Sequence, residues 1–169
     1  IVGKYGSGKS FLLQTIRNHA TARGFAVVDA DLSPERRFAG TKGQGLATYK
    51  ELIKNLSTKA RPDGGALPLI VEKWISGFQT GVKSRMGNEE EEDFDTLVER
   101  QIYAVAGSLE GMVNGFEFAR AVVLYWKAYR EDDSAMKSNV LRWFRGEYPS
   151  RREAREDLGI NFIVTDETW

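Results

Sequence analysis

Eight residues near the start of the sequence have the types and the spacing of a phosphate-binding site. The segment Gly3–Ser10 reads GKYGSGKS and satisfies the pattern G-x-x-x-x-G-K-[ST] at every fixed position. Glycines let a loop turn its backbone N–H groups toward an anion, and the following helix points its positive end at the same place. Lys9 is predicted to reach the β- and γ-phosphates of a nucleotide, and the Ser10 hydroxyl to bind Mg²⁺. The candidate cofactor-binding residues are Gly3, Lys4, Tyr5, Gly6, Ser7, Gly8, Lys9, Ser10 and Phe11.

Two aspartates after an apolar run are further candidates for the metal site. Asp29 and Asp31 follow the run FAVV at residues 25–28, and ligands of open α/β sheets bind at the carboxyl ends of strands. The alternative, which we favour, is that these carboxylates cap and solubilise the end of the strand.

The tail of the sequence offers a second acidic pair, Asp166 and Glu167, after the apolar triplet FIV. At the end of an acidic strand, Asp166 would hold the metal and Glu167 would be the catalytic base. We favour a different interpretation, in which Thr165 caps a helix and the two acids lie in its first turn. The acidic strand would then lie beyond Trp169, and the catalytic residue stays unassigned.

The elements that must position these residues follow from hydrophobic periodicity. Apolar residues recur at helical spacing after the loop, which predicts a helix over 9–22 that Gly24 ends. The segment 25–32 is rich in valine and is predicted to be a buried parallel strand. Ser33-Pro34-Glu35 predicts the start of a short helix.

Helices are predicted for most of the remaining sequence. Apolar stripes of period 3.6 run through residues 46–56, 67–82 and 94–109. A run of acids at 89–93 is predicted to open the third of these helices. Helix starts are also predicted at Ser134 and at the capping-box pairs Asn114/Glu117 and Ser150/Glu153, the last helix ending at Leu158-Gly159.

These elements predict an α/β fold of the P-loop NTPase class: a partial, parallel, three-layer sheet with a large helical insertion. Residues 1–169 are expected to be the N-terminal part of a single P-loop ATPase domain that is truncated at both ends. The insertion, mostly helical, is placed at residues 44–158. A phosphate-binding loop normally follows a central strand. Here the loop begins at residue 3, so most of that strand is expected to lie before residue 1.

The amino-acid composition limits the classes of partner and of metal site that we expect for this protein. The 24 basic and 24 acidic residues give a formal net charge of zero, so overall charge favours neither nucleic acid nor a membrane surface. The basic residues between 137 and 155 could contact a nucleic-acid backbone, but we favour a mixed helical surface. There is no cysteine, which excludes disulfides and thiolate metal sites and is compatible with the cytoplasm. The longest apolar run is too short for a membrane span.

Several blocks of the sequence resemble bacterial ATP-binding proteins of bacteriophage-exclusion (BREX-type) defence systems, which are related to AAA+ and signal-transducing ATPases. The blocks are GKYGSGKSFLLQTIRNHA, DADLSPERR, RPDGGALP and LRWFRGEYPSRREAREDLGI. The resemblance covers essentially the whole chain. It implies an ATPase subunit of an anti-phage system, with protein partners, DNA as a possible target, a possible homo-oligomer and no membrane.

Two other classes of protein, small-molecule kinases and non-hydrolysing scaffolds, could use the same phosphate-binding loop. A small-molecule kinase would need a lid with arginines, for which Arg142, Arg145, Arg151 and Arg152 are candidates. A non-hydrolysing scaffold would use ATP only to hold an assembly together. Transfer of phosphate to a metabolite would identify the kinase, and tight binding without turnover would identify the scaffold.

Overall fold

The computed structural model describes residues 2–39, 42–85, 93–108 and 115–167, and these ranges hold seven α-helices. The helices are α1 (Lys9–Ala22), α2 (Gln44–Lys54), α3 (Leu67–Lys83), α4 (Phe94–Gly107), α5 (Gly115–Arg130), α6 (Ser134–Phe144) and α7 (Arg151–Leu158). None of them combines the length and hydrophobicity needed to cross a bilayer. The chain divides into two compact units, residues 1–67 and 68–169.

The predicted α/β fold is wrong, because the described residues form helices and no β-strand. The segment 25–32, predicted as a parallel strand, makes one isolated antiparallel bridge, in which Val27 and Ser57 exchange both backbone hydrogen bonds at 2.8 and 3.0 Å. A strand requires a ladder of partners, and a single bridge does not supply one. Phe25, Val28 and Leu32 are about half exposed or more (61%, 49% and 58%). The parallel three-layer sheet is therefore absent from the described ranges.

The short helix predicted from Ser33-Pro34-Glu35 is a tight turn instead. Ser33 and Arg36 exchange backbone hydrogen bonds at 2.9 and 3.1 Å, which closes the turn. The Ser33 hydroxyl accepts from the backbone N–H of Glu35, as an N-cap would. The same hydroxyl donates to the carboxylate of Glu35 and lowers its pKa. The capping signal was present, but the local hydrogen bonds stabilise a turn.

The apolar stripes predicted over 67–82 and 94–109 contribute buried side chains to the core of residues 68–169. The stripe on α3 buries Val71, Ile75, Phe78 and Val82. Helices α4, α5, α6 and α7 pack in sequential order, each against the next. The largest side chains that are fully buried in this unit are Trp126, Tyr125, Ile102, Ile160, Val98, Val122 and Val140. Spacing alone located this core because each helix buries one face.

Helix bounds predicted from local signals agree with the structure at α1, α6 and α7. The first helix is Lys9–Ala22, as predicted. The Ser150 hydroxyl accepts from the N–H of Glu153 at 3.2 Å, and α7 ends before Gly159 in the left-handed conformation. Helix α6 begins at Ser134, although its capping side chain is that of Asp133. The acidic run up to residue 92 and Asn114 lie outside the described residues. The insertion at 44–158 stays a prediction.

A buried tyrosine between α6 and α7 gives a testable pH dependence. Burial, together with a 2.9 Å hydrogen bond to Asp157, raises the pKa of Tyr148 to about 12. An unfolded tyrosine ionises near pH 10, so the folded state disfavours the phenolate. The contribution of Tyr148 to the free energy of unfolding should be constant below about pH 10 and fall between pH 10 and about 12. The expected slope is up to about 1.4 kcal/mol per pH unit for this residue.

Urea unfolding at pH 9, 10 and 11 measures this effect, with Tyr148→Phe as the comparison. Phenylalanine keeps the ring and removes the titrating hydroxyl, so the variant should lose stability less steeply with rising pH. Burial also raises the pKa of Tyr49 to about 12 and raises that of Tyr125, so part of the slope should remain. Equal slopes for the variant and the wild type would contradict the assignment to Tyr148.

Candidate functional site

The glycines of the segment Gly3–Ser10, here called the loop, allow its backbone to fold tightly. Gly6 and Gly8 both have φ of +78°, a conformation that residues with a side chain rarely adopt. At Gly3, an added Cβ would lie 2.5 Å from the Ser7 hydroxyl, so close approach of the chain to itself requires glycine. Gly3 and Gly8, two fixed positions of the sequence pattern, therefore require glycine for different reasons: close approach of Ser7 at Gly3, and a positive φ at Gly8.

The ammonium group of Lys9 lies against the loop. Its Nζ donates to the carbonyl oxygens of Gly3 and Lys4, both at 2.7 Å, and lies 3.4 Å from the Ser7 hydroxyl. The loop is also closed by a backbone hydrogen bond from Ser7 to Lys4 at 3.2 Å. A cation is thus held beside flexible, glycine-rich backbone, where an anionic ligand would compete with the carbonyl oxygens for its protons.

The loop leads directly into the N-terminal end of α1. Gly8 is the N-cap and provides no side chain to accept from the first amides of the helix. Those amides and the helix dipole favour an anion at this end. Ser10 lies in the first turn and is exposed. The side chains of Tyr5 and Phe11 are also exposed, at 104% and 78%.

A cleft of about 500 Å³ brings together the three residues predicted to face a metal. Ser10, Asp29 and Asp31 all line it, together with Arg17 and Asn55. The remaining lining residues are mostly apolar and come from α1 and from the segment 27–30. Among the described residues no three acidic or histidine side chains cluster as a metal site. A Mg²⁺ ion here would therefore depend on Ser10 and on phosphate oxygens.

The two aspartates in the cleft differ in their partners. Asp29 forms an ion pair with Arg17, Nε to Oδ2 at 3.2 Å, and its carbonyl oxygen accepts from the side chain of Asn55 at 3.0 Å. Asp31 is exposed and has no hydrogen bond or ion pair within the described ranges. The carboxylate of Asp29 is therefore committed to a structural contact, whereas that of Asp31 faces solvent.

The tail that carries Asp166 and Glu167 belongs to the second unit. It is neither strand nor helix up to residue 167, and Trp143 anchors it through a 2.7 Å hydrogen bond from Nε1 to the carbonyl oxygen of Phe162. The hydroxyl of Thr165 accepts from the N–H of Glu167 at 3.3 Å. This contact resembles the predicted cap, but it closes a turn. The catalytic roles of the two acids stay predictions.

The basic residues between 137 and 155 are in part neutralised by neighbours. The ion pairs join Arg142 to Glu153 (3.5 Å) and Asp157 (3.8 Å), Lys137 to Asp132 (3.1 Å) and Arg152 to Glu156 (2.8 Å). These pairs favour the mixed helical surface over a nucleic-acid footprint. They also reduce the case for a kinase lid built from Arg142 and Arg152.

Sequence reasoning missed Arg17, which contacts both the cleft and the segment 57–62. A signal was available, since Arg17 lies seven residues after Ser10 and so on nearly the same face of α1. The sequence did not indicate that Asp29 would be its partner.

Comparison with known proteins gives one match. The model of a family described as "BREX system ATP-binding protein BrxC/D" matches residues 1–169. Searches of the curated proteins and of the solved structures found no match. Because the family model covers every residue of the sequence, the chain belongs to the BREX system ATP-binding protein BrxC/D family.

Proposed function

We propose that this protein binds ATP through the loop and hydrolyses it with Mg²⁺ as an ATPase of an anti-phage defence system. Membership of a BREX ATP-binding family supports ATP binding and the defence role. The observation that carries the proposal is the position of Lys9, whose ammonium lies 2.7 Å from two carbonyl oxygens of a glycine-rich loop at a helix N-terminus. A triphosphate is bound by a cation together with the backbone N–H groups of a glycine-rich loop and of a helix N-terminus, and this segment has all of these.

The loop residues take separate roles in this proposal. Lys9 would leave the carbonyl oxygens of Gly3 and Lys4 to contact the β- and γ-phosphates, and the first amides of α1 would contact the same phosphates. Ser10 would hold Mg²⁺, with the exposed carboxylate of Asp31 in the same cleft. When bound, Mg²⁺ neutralises charge on the phosphate oxygens. The cleft lining supports this role, because Ser10 and both aspartates share it.

The location and assembly of the protein are part of the same proposal. We expect it to act in the cytoplasm with protein partners of a defence complex, as a possible homo-oligomer, with DNA as a possible target of the ATP cycle. Measuring phosphate release against phosphate transfer to metabolites separates the ATPase from a small-molecule kinase. Tight ATP binding without turnover by the intact protein would instead favour the scaffold.

Two glycines at opposite ends of α1 provide a matched test of the loop. Gly8 and Gly24 have φ of +78° and +84°, and a Cβ at either position meets open space. Alanine at each should therefore cost about 1–2 kcal/mol of conformational strain. Gly8→Ala should also displace the loop and weaken Mg²⁺-ATP binding by about tenfold, since 1.4 kcal/mol corresponds to a factor of ten. Isothermal titration of the intact protein measures this.

Gly24→Ala is the control for this experiment. It should lower the unfolding temperature about as much as Gly8→Ala while leaving the ATP dissociation constant within twofold of the wild type. Equal ATP affinity in the two variants would count against the loop as the site. Failure of the wild type to bind ATP at all would remove the proposed function.

A further inference from the structure

Arg17 joins α1 to two distant segments of residues 1–67 through three polar contacts. Its Nε lies 3.2 Å from Oδ2 of Asp29, and its Nη2 donates to the Ser57 hydroxyl and to the carbonyl oxygen of Pro62, both at 2.9 Å. A planar guanidinium can make such contacts in several directions at once, whereas an ammonium group cannot reproduce their geometry.

These contacts are part of a closed ring made of one ion pair and three hydrogen bonds, which links Arg17, Ser57, Asn55 and Asp29. The Ser57 hydroxyl, which accepts from Arg17, donates to the carbonyl oxygen of Asn55 at 2.7 Å. The side chain of Asn55 in turn donates to the carbonyl oxygen of Asp29 at 3.0 Å. Ser57 is almost fully buried, at 1% exposure, and its backbone is paired with Val27. The ring therefore ties α1 to the segment that carries Asp29.

Helix α1 needs such a polar anchor because its residues are poorly buried. None of its 14 residues is buried, and Phe11, Leu13 and Ile16 are more than half exposed. Apolar packing thus contributes little to the orientation of this helix within residues 1–67. The orientation matters at the loop, since α1 begins at Lys9 and carries Ser10 in its first turn.

We infer that Arg17 is a positioning residue for nucleotide binding: it fixes α1, and through it Lys9 and Ser10, against the cleft wall at 27–31. The inference rests on the proposed function and names a residue outside the loop pattern. Arg17 lies about 10 Å along the helix axis from Ser10, at 1.5 Å per residue over seven residues. It acts on the site through helix orientation and does not contact phosphate.

The test compares Arg17→Ala and Arg17→Lys with Arg152→Ala in the intact protein. Arg152 also forms an ion pair, 2.8 Å from Glu156, but on the exposed surface of α7. Arg17→Ala should weaken Mg²⁺-ATP binding by about tenfold, and Arg17→Lys should restore part of this loss by keeping the charge beside Asp29. Hydrogen exchange without nucleotide should become faster in α1 and in residues 55–62 of Arg17→Ala. Arg152→Ala should change neither readout.

The outcomes distinguish the proposed ATP-binding function from the positioning role of Arg17. A wild type that does not bind ATP overturns the proposed function. A wild type that binds ATP, with an Arg17→Ala variant that exchanges faster yet binds ATP within twofold of it, overturns the positioning role alone. If Arg17→Ala does not fold, Ser57→Ala removes two contacts of the ring, those with Arg17 and with the Asn55 carbonyl oxygen, and unchanged ATP affinity in both Ser57→Ala and Arg17→Lys overturns the inference.

Discussion

Replacing Lys9 with alanine is expected to weaken Mg²⁺-ATP binding by this protein at least about 30-fold. The ammonium group is the cation that the loop holds, 2.7 Å from the carbonyl oxygens of Gly3 and Lys4. In the proposed complex Lys9 pairs with phosphate, and removing one partner of a hydrogen-bonded charge pair that binding buries costs about 2–5 kcal/mol. The ATP dissociation constant should therefore rise by between about 30-fold and several thousand-fold. Equilibrium titration of the intact protein with ATP in the presence of Mg²⁺ measures the change.

Lys4→Ala is the matched control for Lys9→Ala. Lys4 has the same charge and lies in the same loop, but its hydrogen bonds within the described residues are accepted by its backbone carbonyl oxygen, from Lys9 and Ser7. Its alanine variant should bind ATP within about threefold of the wild type, because an exposed lysine contributes only a screened electrostatic attraction. Similar losses for the two variants would show that loop charge, and not the placement of Lys9, determines binding.

Replacing Trp126 with alanine is expected to cause the largest loss of stability. Trp126 is fully buried on α5, the helix that packs against both α4 and α6. Truncation of a buried tryptophan removes its transfer free energy and leaves a cavity, at a cost of about 3–5 kcal/mol. For a chain of this length the midpoint of thermal unfolding should fall by roughly 6–20 °C. Circular dichroism at 222 nm follows the transition.

Two further variants show whether burial causes this loss. Phe116 lies on the same helix but is 67% exposed and stacks on Tyr103, so Phe116→Ala should cost no more than about 1.5 kcal/mol. Trp126→Phe should cost less than Trp126→Ala, because phenylalanine keeps much of the buried ring volume and leaves a smaller cavity. Both variants lose Nε1, which is buried without a partner among the described residues, so this donor does not distinguish them. A smaller loss for Trp126→Ala than for Phe116→Ala would contradict the packing described above.

The sequence by itself determined the features that depend on near neighbours. The loop pattern, the bounds of α1 and the cap of α7 were predicted because hydrogen bonds among residues a few positions apart fix them. Core positions on α3 and α4 were predicted from helical periodicity, which depends only on which face of each helix is apolar.

The tertiary structure alone decided which distant residues meet. The valine-rich segment 25–32 was predicted to join a parallel sheet, but a local sequence does not specify which distant strand will pair with it. Among the described residues its one β-bridge joins Val27 to Ser57. The same holds for Asp29, whose carboxylate could have faced a metal and instead binds Arg17. Strand ladders and ion pairs require groups that are distant in sequence to approach within about 3–5 Å. The folded chain sets those distances, and local pattern and composition do not.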